Sequence, residues 1–232
     1  MLNGFVFKEF RIRHDRCAMK VGTDGVLLGA WACGGNRILD IGSGSGLVAM
    51  MMAQRFRHAM IEGIEIDGDA VQQSCENAEQ SVFAKQLRFY HGDLRTWQPQ
   101  HPFDAMVTNP PFFLNSLNAP DKSRAIARNA EFLPFADIFS FASRWLVKTG
   151  CLSAIVPVEA YELFAAEAAL QGFFIERLYH VKPSLRKPVR RYLVSFTRLR
   201  PEMYDEKTVV LSRPDGSRSE WYAALTRNFY IK

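Results

Sequence analysis

The sequence predicts an α/β fold, a mostly parallel sheet with helices on both faces. Three observations carry this expectation: short apolar runs alternate with helix-forming segments from residue 37 onward, the first run ends abruptly in glycines, and the last strand-like segments are joined by a loop. Arg37 to Ile41 (RILDI) reads as a strand and Leu47 to Arg55 (LVAMMMAQR) as a helix built from strong helix formers. Ala59 to Ile66 reads as the next strand, Asp69 to Gln80 as a helix and Gln86 to His91 as a strand. Phe103 to Thr108 makes a fourth strand, ended by Asn109-Pro110-Pro111. Phe135 to Val147 carries Phe135, Ile138, Phe139, Ala142, Trp145 and Leu146 at helical spacing. Gly150 is expected to break that helix before a strand over Cys151 to Val156, with a helix over Glu159 to Leu170. Phe173 to Val181 and Tyr192 to Arg198 predict an antiparallel pair at one edge, and Arg213-Pro214-Asp215-Gly216 predicts a hairpin turn.

The chain has 232 residues, 48% hydrophobic and 23% charged, which excludes a disordered or collagen-like polymer. No stretch approaches the ~18 uncharged apolar residues of a membrane span. The opening segment carries Lys8, Glu9, Arg11 and Arg13 and so lacks the apolar run of a secretory signal, which predicts a cytoplasmic protein. Cys17, Cys33, Cys75 and Cys151 are scattered, with no metal-ligand spacing, and are expected to be buried small apolar residues rather than disulfide or metal partners. The formal net charge is +5. Seven basic residues and no acidic one fall between Lys182 and Arg200, and Lys122, Arg124 and Arg128 form a second basic segment. A polyanionic partner is expected to meet these segments.

Asp40-Ile41-Gly42-Ser43-Gly44-Ser45-Gly46 lies where the first strand of the alternating series turns into a helix. Ligands of open α/β sheets bind at that carboxyl end, and glycines let a backbone approach them closely. Leu47 stands where the dinucleotide pattern G-x-G-x-x-G has its last glycine, which disfavours a pyrophosphate cofactor. Glu65 ends the next strand, 19 residues after Gly46, where a carboxylate can accept both hydroxyls of an adenosyl ribose. The neighbouring Asp67 is expected to cap a helix. Asp93 ends the following strand and is positioned to accept from an adenine amine.

Asn109-Pro110-Pro111-Phe112 ends the fourth strand. An exocyclic aromatic amine is a poor nucleophile because its lone pair is delocalised. Acceptors on its hydrogens, here the Asn109 side chain and the Pro110 carbonyl, would localise that pair toward an incoming methyl group. The prolines hold the turn rigid, and Phe112 offers a face for a flipped base.

With these motifs in order, residues 37 to 157 resemble the class I S-adenosylmethionine-dependent methyltransferases acting on amino groups. Phe7-Lys8-Glu9-Phe10, Asp15 to Trp31 and Asn228-Phe229-Tyr230 further resemble the bacterial tRNA valine adenine-37 N6-methyltransferases, over essentially the whole chain. The resemblance implies a Rossmann-like, seven-stranded, mostly parallel sheet with an antiparallel C-terminal edge. It implies one methyltransferase domain, with an N-terminal extension over 1–36, the catalytic core over 37–200 and a C-terminal hairpin and tail over 201–232. It also implies S-adenosylmethionine as cofactor, held by Lys20, Thr23, Asp40, Gly42, Gly44, Gly46, Glu65, Asp93 and Asn109, with no metal and no obligate protein partner. Lys20 and Thr23 would meet the methionine carboxylate. The expected substrate is the anticodon stem-loop of a tRNA, its phosphates met by Lys122, Arg124, Arg128, Lys182, Arg186, Lys187, Arg190 and Arg191. Guanine methylation of ribosomal RNA, methylation of a release-factor glutamine and a non-catalytic RNA-binding module remain the alternatives at this point.

Overall fold

The computed structural model describes residues 4–111 and 133–231. Its centre is an eight-stranded sheet in the order β10-β8-β9-β7-β6-β3-β4-β5. The strands are β3 (Arg37–Ile41), β4 (Met60–Glu65), β5 (Leu87–His91), β6 (Phe103–Thr108), β7 (Leu146–Pro157), β8 (Phe174–Ser184), β9 (Arg191–Thr197) and β10 (Asp205–Ser212). A separate two-residue pair, β1 (Phe5–Val6) and β2 (Arg11–Ile12), precedes them. The helices are α1 (Thr23–Trp31), α2 (Leu47–Arg55), α3 (Gly68–Glu79), α4 (Phe135–Trp145), α5 (Val158–Leu170) and α6 (Glu220–Thr226).

β5, β4, β3, β6 and β7 run parallel, and β9 inserts antiparallel between β7 and β8. Central parallel strands are covered on both sides, so they read as nearly unbroken apolar runs rather than alternating ones. Ile38, Ile61, Ala105, Val107 and Ile155 pack on the face that meets α1, α2 and α3. Leu39, Ile41, Met106, Leu152 and Val156 pack on the opposite face, against the aromatic side chains of α4 and α5.

Three local differences from the sequence reading have identifiable causes. The seven expected strands are joined by an eighth, β10, which adds to β8 in parallel, so the outermost strand is not one of the antiparallel pair. The expected turn at 213–216 forms, with Gly216 at φ 82, but its hairpin shrinks to one bridge between Ser212 and Arg218 before α6 begins. Gly150 lies inside β7 rather than between a helix and a strand. A β-carbon there would come within 2.8 Å of the Asp104 carbonyl and the Leu146 side chain, so glycine lets β7 pass β6 at an irregularity of register.

The cysteine expectation also needs correction. Cys33 and Cys151, 118 residues apart, form a disulfide that joins the segment after α1 to β7, whereas Cys17 and Cys75 are free. Two signature segments at the chain ends meet: Phe7 bridges Tyr230, and Lys8 N–H donates to the Phe229 carbonyl at 2.8 Å. Among the described residues no helix is long and apolar enough to cross a membrane.

Candidate active site

Gly42, Gly44 and Gly46 all have positive φ, at 71°, 51° and 79°, which explains glycine at alternate positions of the loop between β3 and α2. They are not equivalent. A β-carbon on Gly42 or Gly44 would meet nothing within 4 Å, whereas one on Gly46 would come within 2.9 Å of Phe89. Gly42 and Gly44 line a cavity of about 580 Å³ at the carboxyl ends of the parallel strands; Gly46 does not line it and instead forms the N-cap of α2. That volume lies within the ~300–1,000 Å³ of small-ligand sites.

The Glu65 carboxylate joins two loops. Its Oε2 accepts from Gly44 N–H at 2.9 Å, and its Oε1 accepts from Ile66 and Asp67 N–H at 2.8 and 3.0 Å. A carboxylate has about four acceptor sites, so three are committed and Oε2 keeps one toward a ligand. A bidentate grip on two hydroxyls, as the sequence suggests, would draw on an oxygen already shared with the backbone. Asp67 caps α3 as expected, accepting from Asp69 N–H at 2.9 Å.

Asp93 accepts from Arg95 N–H and Nε at 2.9 Å through Oδ1, and pairs with its Nη2. The guanidinium holds the Asp93 carboxyl below the ordinary carboxylate range, so it stays ionised beside the cavity. Asp40 behaves oppositely. It is buried at the cavity floor, and burial pushes its pKa to about 7, with the Glu65 charge adding to the rise despite an N–H from Ala49 at 3.0 Å.

Asn109, Pro110 and Pro111 line the same cavity. Thr108 ties this strand end to β3 by donating to the Ile41 carbonyl at 3.1 Å. Asn109 Oδ1 is buried without a hydrogen-bond partner among the described residues. An unpaired buried acceptor is costly in a folded protein, and this one belongs to a residue of the cavity wall. Lys20 and Thr23 are exposed on the cavity rim, Thr23 in the first turn of α1 and not at its cap. Cys17 and Met19, within the Asp15 to Trp31 signature but given no role by it, also line the cavity, as does Leu133, which no motif marks.

Phe112, Lys122, Arg124 and Arg128 lie outside the described residues. The other basic candidates cluster around the β8–β9 turn, whose position beside Pro157 puts it at the carboxyl end of β7. Arg186, Lys187 and Arg190 are exposed. Lys182 Nζ donates to the Leu185 carbonyl at 2.8 Å, and Arg191 Nε donates to Asp24 at 2.7 Å. Arg191 is therefore engaged with the first turn of α1, on the cavity wall.

A glycine loop, acids at two successive strand ends and Asn-Pro-Pro at a third, all opening on one cavity, define a methyltransferase of class I. A family model described as the methyltransferase small domain matches residues 25–133. In fold, the chain is similar to a solved structure of a predicted O-methyltransferase from Agrobacterium tumefaciens, with a TM-score of 0.67 at 18% identity over 89% of this chain and 96% of that one. It is 39% identical to the tRNA1(Val) (adenine(37)-N6)-methyltransferase of Bacteroides fragilis over 98% of each chain. It is 36% identical to the enzyme of that name from Klebsiella pneumoniae subsp. pneumoniae, over 99% of this chain and 95% of that one. The chain belongs to the tRNA1(Val) (adenine(37)-N6)-methyltransferase family.

The residues present fit S-adenosylmethionine. Its adenosyl part needs acceptors for hydroxyl donors, which Glu65 Oε2 offers, and the glycine loop leaves open space beside Gly42 and Gly44, while both Asp93 oxygens are taken up by Arg95 in this structure.

Proposed function

We propose that the chain transfers a methyl group from S-adenosylmethionine to the N6 amine of adenosine 37 in the anticodon loop of a valine tRNA. The observation that carries this is the buried Asn109 Oδ1, without a hydrogen-bond partner among the described residues, on a residue of the wall of a cavity that Glu65 and Asp93 also line. Support for the substrate comes from the relatives, whose names specify it and which match nearly the full chain.

When bound, S-adenosylmethionine supplies an electrophilic methyl on a sulfonium that leaves neutral. The protein's own task is to bind, orient and desolvate. Glu65 holds the ribose, Asp93 the adenine amine, and Lys20 with Thr23 the methionine carboxylate. Asp40 and the Gly42–Gly44 backbone form the floor. Asn109 Oδ1 and the Pro110 carbonyl accept the target amine's hydrogens, so its lone pair points at the methyl group. Pro110 and Pro111 keep that segment free of N–H donors that would compete. Phe112 stacks on the flipped base.

The RNA is held by the catalytic domain itself, through the β8–β9 turn with Lys182, Arg186, Lys187, Arg190 and Arg191, and through Lys122, Arg124 and Arg128. This reading places the protein in the cytoplasm, with the tRNA. The test is to incubate it with methyl-labelled S-adenosylmethionine and an unmodified tRNA pool, then digest and map the label. The expected product is N6-methyladenosine at position 37 of a valine tRNA. Label on a guanine of ribosomal RNA or on a release-factor glutamine, with none on tRNA, would overturn the reading.

A further inference from the structure

Residues 13–20 cross from β2 to α1 without regular structure, yet Cys17 to Lys20 form part of the cavity wall. Few apolar side chains in this strap are buried, so something else must fix its path. The partner is α3. Gln73 and Asn77, four residues apart and so on one face of that helix, are 0% and 3% exposed. Buried amides of this kind are kept only where their hydrogen bonds are made.

Both make them with the strap. Asn77 Oδ1 accepts from Arg13 N–H at 2.9 Å, while Nδ2 donates to the Arg13 carbonyl at 2.8 Å. The same Nδ2 donates to the Ser45 carbonyl of the glycine loop at 2.9 Å. One turn earlier, Gln73 Oε1 accepts from Arg16 N–H at 3.0 Å and from the Cys17 thiol at 3.2 Å, and Nε2 donates to Asp15 Oδ1 at 2.8 Å. Between them, Glu76 pairs with Arg16 and lies 3.8 Å from Arg13. Neither Gln73 nor Asn77 lines the cavity.

We infer that Asn77 and Gln73 are positioning residues for methyl-donor binding, which lock the 13–20 strap and the glycine loop together as two walls of one site. Asn77 touches both walls through a single amide group. The strap lies outside the segment matched by the methyltransferase small domain, and α3 lies within it, so the device joins an N-terminal addition to the common core. A wall that is already ordered spares the donor the entropy of ordering it. The inference rests on the donor-binding role proposed for this cavity.

The test is direct calorimetric titration of S-adenosylmethionine into the purified protein and into Asn77→Ala, Gln73→Met and Gln73→Glu, with hydrogen exchange of the backbone followed in each. Gln73→Met keeps the side-chain volume, which guards against an Asn77→Ala variant that does not fold. Both deletions should weaken donor binding about tenfold, the effect of losing one or two buried hydrogen bonds that hold the wall. Exchange at residues 13, 16 and 17 should quicken while that of β7 and β9 does not change. Gln73→Glu, which keeps the acceptor for Arg16 N–H but sets a buried carboxylate against Asp15 Oδ1, should bind the donor no better than Gln73→Met. Donor affinity within twofold of the unaltered protein in Gln73→Met overturns the inference, and so does faster exchange spread evenly through the sheet, which would mark a purely structural role. Absence of donor binding by the unaltered protein would instead sink the proposed reaction, and this inference with it.

Discussion

Replacing Asn109 with alanine should remove activity and stabilise the fold in the same protein, because one atom is responsible for both. Its Oδ1 is buried with no hydrogen-bond partner among the described residues. An acceptor left in that state costs about 1–3 kcal/mol of folding stability. Alanine lifts that cost, and a chain of this size gains about 2–4 °C in Tm per kcal/mol, so Tm should rise by several degrees after a small loss of packing. In the proposed reaction the same acceptor meets the target amine, and removing such a group costs about 10²–10³ in kcat, or about 2.7–4 kcal/mol. Donor affinity should move less than threefold, since Glu65, Asp93 and the glycine loop are untouched. Single-turnover methylation at saturating donor, donor titration and a melting curve on one preparation supply the three numbers. A lower Tm, or a loss of donor affinity matching the loss of kcat, would show that Oδ1 serves the fold or the donor and not the target amine.

Asp40 gives a pH prediction with a definite sign. Its folded pKa, about 7, lies above the ordinary 3.8, so folding favours the protonated acid. That contribution is full below about pH 4, drains away as pH rises toward 7 and is level above. Asp40→Asn should leave the urea midpoint unchanged near pH 3 and raise it near pH 8; parallel curves would refute the assignment. The disulfide between Cys33 and Cys151 closes 118 residues, which in the chain-entropy view contributes about 5 kcal/mol. Urea midpoints with and without dithiothreitol should differ by a large part of that amount, and identical midpoints would mean the bond is not formed. Neutralising Arg186, Lys187 and Arg190 together should flatten the slope of log tRNA affinity against log salt by about 2 to 3, at ~0.7–0.9 per phosphate contact. An unchanged slope would remove this turn from the RNA interface.

Much of the site was legible because its parts are local. Gly42, Glu65, Asp93 and Asn109 each sit where an apolar run stops, and in a parallel sheet all such stops share one edge. What escaped the sequence depends on partners far along the chain. Arg191 reads as a free cation until folding sets Asp24, 167 positions away, against it. Cys33 and Cys151 read as small apolar residues until β7 passes the end of α1. β10 has strand character on its own, but its sequence does not say that β8 will accept it in parallel. Gln73 and Asn77 look like ordinary polar positions of a polar helix. Their spacing of four is a signal only once that face of α3 is known to be buried.

The two ligands of the proposed reaction would meet the protein through elements tied to the same cavity. The strap is pinned to α3 and the glycine loop by Gln73 and Asn77, and the β8–β9 turn is pinned to the first turn of α1 by the Arg191–Asp24 pair. Asp24 lines the cavity one residue after Thr23. The side chains of that ion pair are 35% and 29% exposed, so it is a modest contact of about 0.2–1 kcal/mol rather than a lock. A phosphate bound by Arg191 would therefore compete with Asp24 on nearly equal terms, and any exchange between them would be felt at the rim where the methionine end of the donor is expected. Arg186, Lys187 and Arg190 have no such tie to the cavity among the described contacts. In the proposed RNA interface, Arg191 is the described residue of this turn whose side chain also pairs with a cavity-lining residue, so RNA binding and donor binding can influence each other through it.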